Sequence, residues 1–285
     1  MRVGVLGPQG TFSEIAAKKW HHGCRVRYFE EIPDVAEAVM SGEIDAGVLP
    51  IENSIEGSVN ITLDLLSDRK VKIIGEVVVP VMHHLLAKTG AEKIYTIVSH
   101  PQALAQCRCF IRSQFSGVEL KTTSSTASAA KLAAQTQGVA AIASVESAKI
   151  YGLSILAENI QDVSGNFTRF AVLGCKDVSL SEGMCKTSVI LHLKHNRAGA
   201  LYELLGEFAK RGIDLTKIES RPTKKALEDY LFYVDFKGHI KEERIAFLLE
   251  GVREHVDRLK VLGSYPVATA QLRCAENNRE LLITK

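Results

Sequence analysis

Arg2-Val3-Gly4-Val5-Leu6-Gly7-Pro8-Gln9-Gly10-Thr11-Phe12-Ser13 is the stretch that decides the fold class. Arg2–Leu6 reads as a short buried strand, Gly7–Gly10 as a turn, and Thr11–Trp20 as a helix. A strand passing through a glycine turn into a helix is the first half of a βαβ unit. The same alternation continues outward. Arg25–Phe29 is strand-like, and Pro33–Met40 is helical with Val35, Ala36 and Val39 on one face. Asp45–Ile51 reads as strand, Asn53–Ser67 as mostly helix, and Lys72–Pro80 as strand. Ile94–Ser99 is strand, Ala103–Gln114 helix, Glu119–Thr122 strand, Ala127–Thr136 an alanine-rich helix and Val139–Ser144 strand. Such alternation predicts an α/β fold with mostly parallel sheets. Ligand sites in such folds lie at strand C-termini and helix N-termini.

The rhythm changes near residue 175. Gly174–Asp177 and Ser179–Cys185, which contains Gly183, read as a polar linker. Beyond it, Thr187, Val189, Leu191 and Leu193 alternate with polar residues, the period of a strand. Leu201, Leu204, Leu205 and Phe208 follow at helical spacing, and Gly212 stops that helix. Ile213–Ile218 is strand-like. Tyr230, Phe232, Val234 and Phe236 alternate again. Ile245, Leu248, Leu249, Val252 and Val256 make a second helix stripe, and Lys260–Leu262 closes with a strand. The order β-α-β-β-α-β is that of a small ferredoxin-like domain.

The whole chain has 285 residues, which agrees with two domains. Its formal charge of +2 speaks against a strongly basic nucleic-acid binder and against an acidic tail. Six cysteines are too sparse for a disulfide scaffold. The N-terminus meets glycine and proline at once, unlike a signal peptide. The longest apolar stretch, Val77 to Met82, is far shorter than the ~20 residues of a membrane span. The expectation is a cytoplasmic protein.

Gly4-x-x-Gly7-x-x-Gly10 is neither G-x-G-x-x-G nor a P-loop. It still permits close approach to the backbone, and Thr11 or Ser13 offers a hydroxyl at a helix N-terminus, where anions are attracted. Pro50-Ile51-Glu52-Asn53-Ser54 and Ser124-Ser125-Thr126-Ala127-Ser128 each read as a strand end that opens a helix. Three such termini suggest a small anionic ligand held by neutral donors, although each is also explicable as a cap. His83-His84 and His100 raise the question of a metal, but no H-E-x-x-H is present and Cys107-Arg108-Cys109 lacks zinc-knuckle spacing. The G-x-S-x-G elbow of a hydrolase is missing too. No metal or cofactor is expected. Arg169, in Asn166-Phe167-Thr168-Arg169-Phe170, is either a carboxylate clamp or a surface arginine beside a turn.

Taken in order, these motifs resemble prephenate dehydratase. The matching segments are Gly7–Ser13, Pro50–Ser54, Gly57–Val59, Ser99–Cys107, Ser125–Ala130 and Asn166–Phe170. The second domain resembles an ACT regulatory domain through Gly199–Leu205, Glu219–Pro222 and Leu262–Pro266. Ala198 stands where that motif usually has proline. The resemblance implies a two-lobed catalytic domain similar to periplasmic binding proteins, over 1–178. One lobe would hold the N-terminal strands with the Thr168–Leu173 return strand, and the other roughly Pro80 to Ala157. The ACT domain with a C-terminal tail would span 186–285. With no chorismate mutase extension before the first strand, a monofunctional enzyme is expected.

The implied activity is a carbon–oxygen lyase of phenylalanine biosynthesis, converting prephenate to phenylpyruvate, water and carbon dioxide. On the family pattern Thr168 is catalytic. Arg169, Thr11, Asn53, Ser54, Ser125, Thr126 and Phe170 would bind substrate, while His100 and Gln102 serve either the site or lobe packing. Asn196, Gly199, Ala200, Leu201, Glu219, Ser220, Arg221 and Pro222 would bind L-phenylalanine as allosteric effector. The chains would pair as a homodimer or homotetramer through their ACT domains. The alternatives are an arogenate dehydratase, which runs the same elimination on the aminated substrate, and a non-enzymatic amino-acid-binding sensor.

Overall fold

Burial explains why the first βαβ unit forms. Val3 and Val5 of β1 (Arg2–Leu6) and Ala16 and Ala17 of α1 (Phe12–Trp20) lose all solvent contact. The computed structural model describes residues 1–91, 93–179, 184–224 and 226–268. After α1 come β2 (Arg25–Phe29), α2 (Ile32–Met40), β3 (Ala46–Asn53), β4 (Gly57–Ser58), α3 (Asn60–Asp68) and β5 (Lys72–Pro80). Then follow β6 (His84–Ala87), β7 (Thr96–Ser99), α4 (Pro101–Gln106), α5 (Arg108–Gln114), β8 (Glu119–Thr122), α6 (Thr126–Gln135), β9 (Val139–Ala143), α7 (Val145–Tyr151), β10 (Ser154–Ala157) and β11 (Phe167–Gly174).

These strands build two sheets. The first has the order β2-β1-β3-β11-β5, with β4 beside β3, and β1 runs parallel to β2 and to β3. The second has the order β10-β6-β9-β7-β8, parallel across β9-β7-β8 and antiparallel at β10-β6-β9. The chain leaves the first sheet after β5 and returns to it in β11. The two connections touch where Val81 N–H donates to the Asn166 carbonyl at 2.8 Å. Two α/β lobes joined by paired crossings are the periplasmic-binding-protein plan. Alanines 127, 129, 130 and 133 of α6 are fully buried, and their small side chains let the helix pack closely on its sheet.

Three readings need correction. Asn53 does not open a helix: it ends β3 and turns into β4, with Asn53 opposite Gly57. The cause is local, because the Asn53 side-chain oxygen accepts the N–H groups of Ile55 (3.0 Å) and Glu56 (3.1 Å), and Gly57 takes φ +84°. Helix α3 starts only at Asn60. The helix expected over Ala103–Gln114 is two helices, broken at Cys107 (φ −115°, ψ 20°). The short elements β6, α7 and β10 went unforeseen because four to seven residues carry too little periodicity.

By contacts the chain divides into two units. One comprises Met1–Thr62 with Val77–Phe170, and the other Leu63–Glu76 with the chain from Ala171 onward. The second unit contains β12 (Cys185–Leu193), α8 (Ala200–Lys210), β13 (Leu215–Pro222), β14 (Tyr230–Lys237), α9 (Glu243–His255) and β15 (Val256–Pro266). Its antiparallel sheet has the order β13-β14-β12-β15, the ferredoxin-like βαββαβ plan. Leu204, Phe208, Leu248 and Val252 from the two helices pack on Val189, Leu191, Val234 and Phe236 of the sheet. The segment 63–76 is bound to the same sheet. Tyr233 Oη donates to the Leu63 carbonyl at 2.8 Å, and Lys260 Nζ donates to the carbonyls of Leu66, Ser67 and Arg69 at 2.7–2.9 Å. Residues 180–183 of the expected linker, Gly183 among them, and residues 269–285 of the expected tail lie outside the described residues. Among the described residues no helix is long and apolar enough to cross a membrane.

Candidate active site

A cleft of about 960 Å³ opens in the first unit at the C-terminal ends of its parallel strands, where α/β folds place ligands. Its lining includes Gly7 and Pro8 after β1, Phe29 at the end of β2 and Glu30 just after it, Pro50 and Asn53 of β3, His100 after β7, and Ser124 and Ser125 after β8. The expected catalytic Thr168 reaches it, as do Thr11, Asn53, Ser125, Thr126 and Phe170 of the expected substrate residues, and His100 and Gln102.

Ser54 and Arg169 are not among the lining residues. The Ser54 hydroxyl takes the Phe167 N–H (2.9 Å) and so anchors the start of β11. Arg169 is 8% exposed and its Nη1 meets Glu52 Oε2 at 3.3 Å. Successive strand side chains face opposite sides, so Thr168 and Phe170 on the cleft face turn Arg169 away from it.

The serine and threonine caps are spent on their own helices. Thr11 Oγ1 donates to the Leu6 carbonyl (2.9 Å) and accepts Glu14 N–H (3.4 Å). Ser125 Oγ accepts Ser128 N–H at 3.0 Å. The capped ends still leave first-turn amides of α1 and α6 without helical partners. The glycine turn also serves packing between the lobes. Gly10 (φ +93°) gives its carbonyl to Ser147 Oγ at 3.0 Å, and a Cβ there would sit 2.9 Å from that oxygen.

A chain of amides surrounds Thr168. Asn53 Oδ1 accepts two backbone N–H groups, so its Nδ2 must be the end that faces Thr168 Oγ1 (3.0 Å), Asn166 Oδ1 (2.7 Å) and the Phe167 carbonyl (3.2 Å). Thr168 therefore accepts from Asn53, and its own hydrogen is left for another partner. Asn166 Nδ2 in turn donates to Gln106 Oε1 (2.9 Å), which also receives His83 Nε2 (3.1 Å). Gln106, Asn166 and His83 were not singled out as site residues. Gln106 and Asn166 stand inside the Ser99–Cys107 and Asn166–Phe170 motifs, whereas for His83 the sequence raises only the question of a metal.

The histidines bring no charge. Burial holds both His83 and His100 below the usual imidazole value, so both are neutral at pH 7. His100 Nδ1 accepts Gln102 N–H (3.3 Å) as the cap of α4. Lys131 supplies a cation to the lining. Burial pushes the Cys107 thiol up to about 12, which excludes it as a nucleophile near neutrality.

The Thr168 hydroxyl, held by the Asn53 amide, thus lines a cleft of mixed apolar and polar residues. Residues 3–178 match the family model described as prephenate dehydratase, and residues 187–246 match the ACT domain. The chain belongs to the prephenate dehydratase family. It is 44% identical to the prephenate dehydratase of Methanocaldococcus jannaschii over 91% of this chain and 96% of that one. It is likewise 44% identical to the bifunctional chorismate mutase/prephenate dehydratase of Aquifex aeolicus, over 95% of this chain and 75% of the relative. The crystal structure of prephenate dehydratase in complex with L-Phe from Arthrobacter aurescens is 32% identical, with a TM-score of 0.86 over 100% of both chains.

The second unit carries the expected effector residues of a prephenate dehydratase. Gly199 (φ +85°) caps α8, so Ala200 and Leu201 open that helix. Asn196 Nδ2 donates to the Glu228 carbonyl at 2.8 Å and thereby joins the loop after β12 to the β13–β14 connection. Glu219 and Ser220 lie on β13 opposite Tyr233 and Phe232. Arg221 and Pro222 line a separate polar pocket of about 210 Å³ with His192, Asp229 and Arg258, and Asn196, Gly199, Ala200 and Leu201 do not. There His192 bridges Asp229 (2.5 Å) and Asp257 (2.6 Å).

Proposed function

We propose that this chain is a cytoplasmic lyase that converts prephenate to phenylpyruvate, with Thr168 as the catalytic residue. The supporting observation is the polarity of the Asn53–Thr168 hydrogen bond, which leaves the threonine hydrogen free to donate. In the reaction the bond from the ring to one carboxylate breaks and carbon dioxide leaves. Its electron pair passes through the ring, the opposite carbon–oxygen bond breaks, and the departing hydroxide takes a proton to become water. Aromatisation drives the step, so the site must orient the dianion, partly desolvate the departing carboxylate and stabilise the leaving oxygen. Threonine is a poor acid. Its part is a preorganised hydrogen bond to the developing hydroxide, with the proton delivered from water.

The substrate carboxylates are met by the first-turn amides of α1 and α6 and by Lys131. Phe170 and Phe12 give the ring an apolar wall. Arg169 acts indirectly: it holds Glu52 on the strand that carries Asn53. The free thiols of Cys24, Cys107, Cys109, Cys175 and Cys185 agree with a reducing compartment. The catalytic domain spans 1–178 and the ACT domain starts at 186. Paired ACT domains bind L-phenylalanine and inhibit.

The test is phenylpyruvate production from prephenate, with arogenate assayed beside it. Turnover of arogenate alone makes the chain an arogenate dehydratase, and binding of either acid without turnover makes it a sensor. Calorimetry with L-phenylalanine and light scattering test the effector and the pairing.

A further inference from the structure

We infer that His83 is a positioning residue for the catalytic hydroxyl, acting at the far end of the amide chain that orients Thr168; this rests on the function proposed above. The directions along the chain follow from two backbone groups. Ile55 N–H and Glu56 N–H fix Asn53 Oδ1 as acceptor, which makes Asn53 Nδ2 the donor to Asn166 Oδ1. Asn166 must then present Nδ2 to Gln106 Oε1. Gln106 Oε1 is therefore an acceptor, and His83 can face it at 3.1 Å only with a hydrogen on Nε2. Its other amide end agrees, since Gln106 Nε2 donates to Glu56 Oε1 at 3.3 Å.

The tautomer of His83 is thus set four residues away, and the same chain sets the hydroxyl of Thr168. The remaining nitrogen, Nδ1, is buried without a hydrogen-bond partner among the described residues. Protonating it would place an N–H where no acceptor stands. The ring is 3% exposed and packs edge to face with Phe12 (centroids 6.3 Å apart), while its backbone N–H is tied to Gln161 Oε1 at 3.0 Å. His83 enters from the crossing between β5 and β6, whereas Asn53 and Thr168 belong to the first sheet. Its N–H therefore ties the second lobe to the orientation of a donor on the first.

Glutamine and asparagine separate this role from mere packing. A glutamine side-chain amide reaches the place of Nε2, whereas an asparagine amide reaches only that of Nδ1. With prephenate as substrate, His83→Leu and His83→Asn lower kcat roughly three- to tenfold, the worth of one net hydrogen bond, with KM little changed. His83→Gln recovers most of that loss. Equal rates for the Gln and Asn variants, or kcat at the wild-type level in His83→Leu, would overturn the assignment. Nitrogen-15 NMR of the wild-type imidazole provides a reading that needs neither turnover nor a folded variant. A neutral ring with hydrogen on Nε2 at pH 7 supports the chain, and hydrogen on Nδ1 or on both nitrogens refutes it. If wild-type protein leaves prephenate untouched, the proposed function fails, while the NMR result still decides the hydrogen-bond chain.

Discussion

Asn53→Asp changes one atom's chemistry while keeping the side chain's shape, so it isolates the polarity of the hydrogen bond to Thr168. In the wild type Asn53 Nδ2 serves three acceptors, at 2.7, 3.0 and 3.2 Å. The oxygen that replaces it confronts Asn166 Oδ1 and the Phe167 carbonyl with no hydrogen between them. Of the three former partners only Thr168 can respond, by turning its hydroxyl back toward the new carboxylate. Its donation to the leaving oxygen is then lost. Removing one preorganised donor of this kind costs about 10²–10³ in kcat, roughly 2.7–4 kcal/mol. Asn166 Oδ1 is stripped of its donor, at a further cost of ~1–3 kcal/mol in stability, whereas the Phe167 carbonyl keeps the Ser54 N–H at 2.9 Å, so the melting temperature falls as well. KM rises by repulsion between the new charge and the dianion, which makes kcat the informative quantity.

The assay is phenylpyruvate formation at saturating prephenate, with circular dichroism melts to show that the variant is folded. Thr168→Val alone should also lose ~10²-fold or more. Because both changes act through the same hydroxyl, the double variant should fall little below the worse single one. Independent, multiplying losses, or an unchanged kcat in a folded Asn53→Asp protein, would refute the reasoning.

Arg169→Lys should leave KM nearly unchanged, because the arginine lies outside the cleft; a large rise in KM would return it to the substrate. Its cost should instead appear in thermal melts, up to the ~1.5–3 kcal/mol of a hydrogen bond to a charged group. Gly263→Ala should strongly destabilise the ACT unit, since a Cβ there would lie 2.0 Å from the Ile73 carbonyl oxygen and neither backbone can yield cheaply. Overpacking at the upper end of its usual ~1–3 kcal/mol should show in a melt, and an unchanged melting temperature would contradict the packing. Hydrogen bonds that His192 donates to Asp229 first, and then to Asp257, hold it above the usual imidazole value. A raised folded value stabilises fully below the unfolded value of about 6.5 and is lost as pH rises through the folded one. NMR titration should find that midpoint high, and Asp229→Asn should lower it; a midpoint at or below 6.5 would contradict the ion pairs.

Much of this was legible in residue order. Long periodic segments such as Leu201–Phe208 and Tyr230–Phe236 could be read because one face of each must be buried. The motif around Thr168 stood out as a unit, and Thr11 and Ser125 were rightly open to reading as caps. Asn53 was misplaced at a helix start because a side chain that caps a turn and one that caps a helix use the same atoms. Arg169 was judged by its chemistry, whereas its direction depends on which face of β11 meets the cleft.

The sequence by itself determined the α/β class, the ferredoxin-like second domain and the neighbourhood of the site, because periodicity and turn chemistry act between near neighbours in the chain. Only the tertiary structure decided which side chains share the cleft and which way each hydrogen bond runs. Asn53, His83, Gln106 and the Asn166–Thr168 segment are far apart in sequence. The polarity of each amide is set by the next, and that dependence exists only once the two lobes have brought them within about 3 Å.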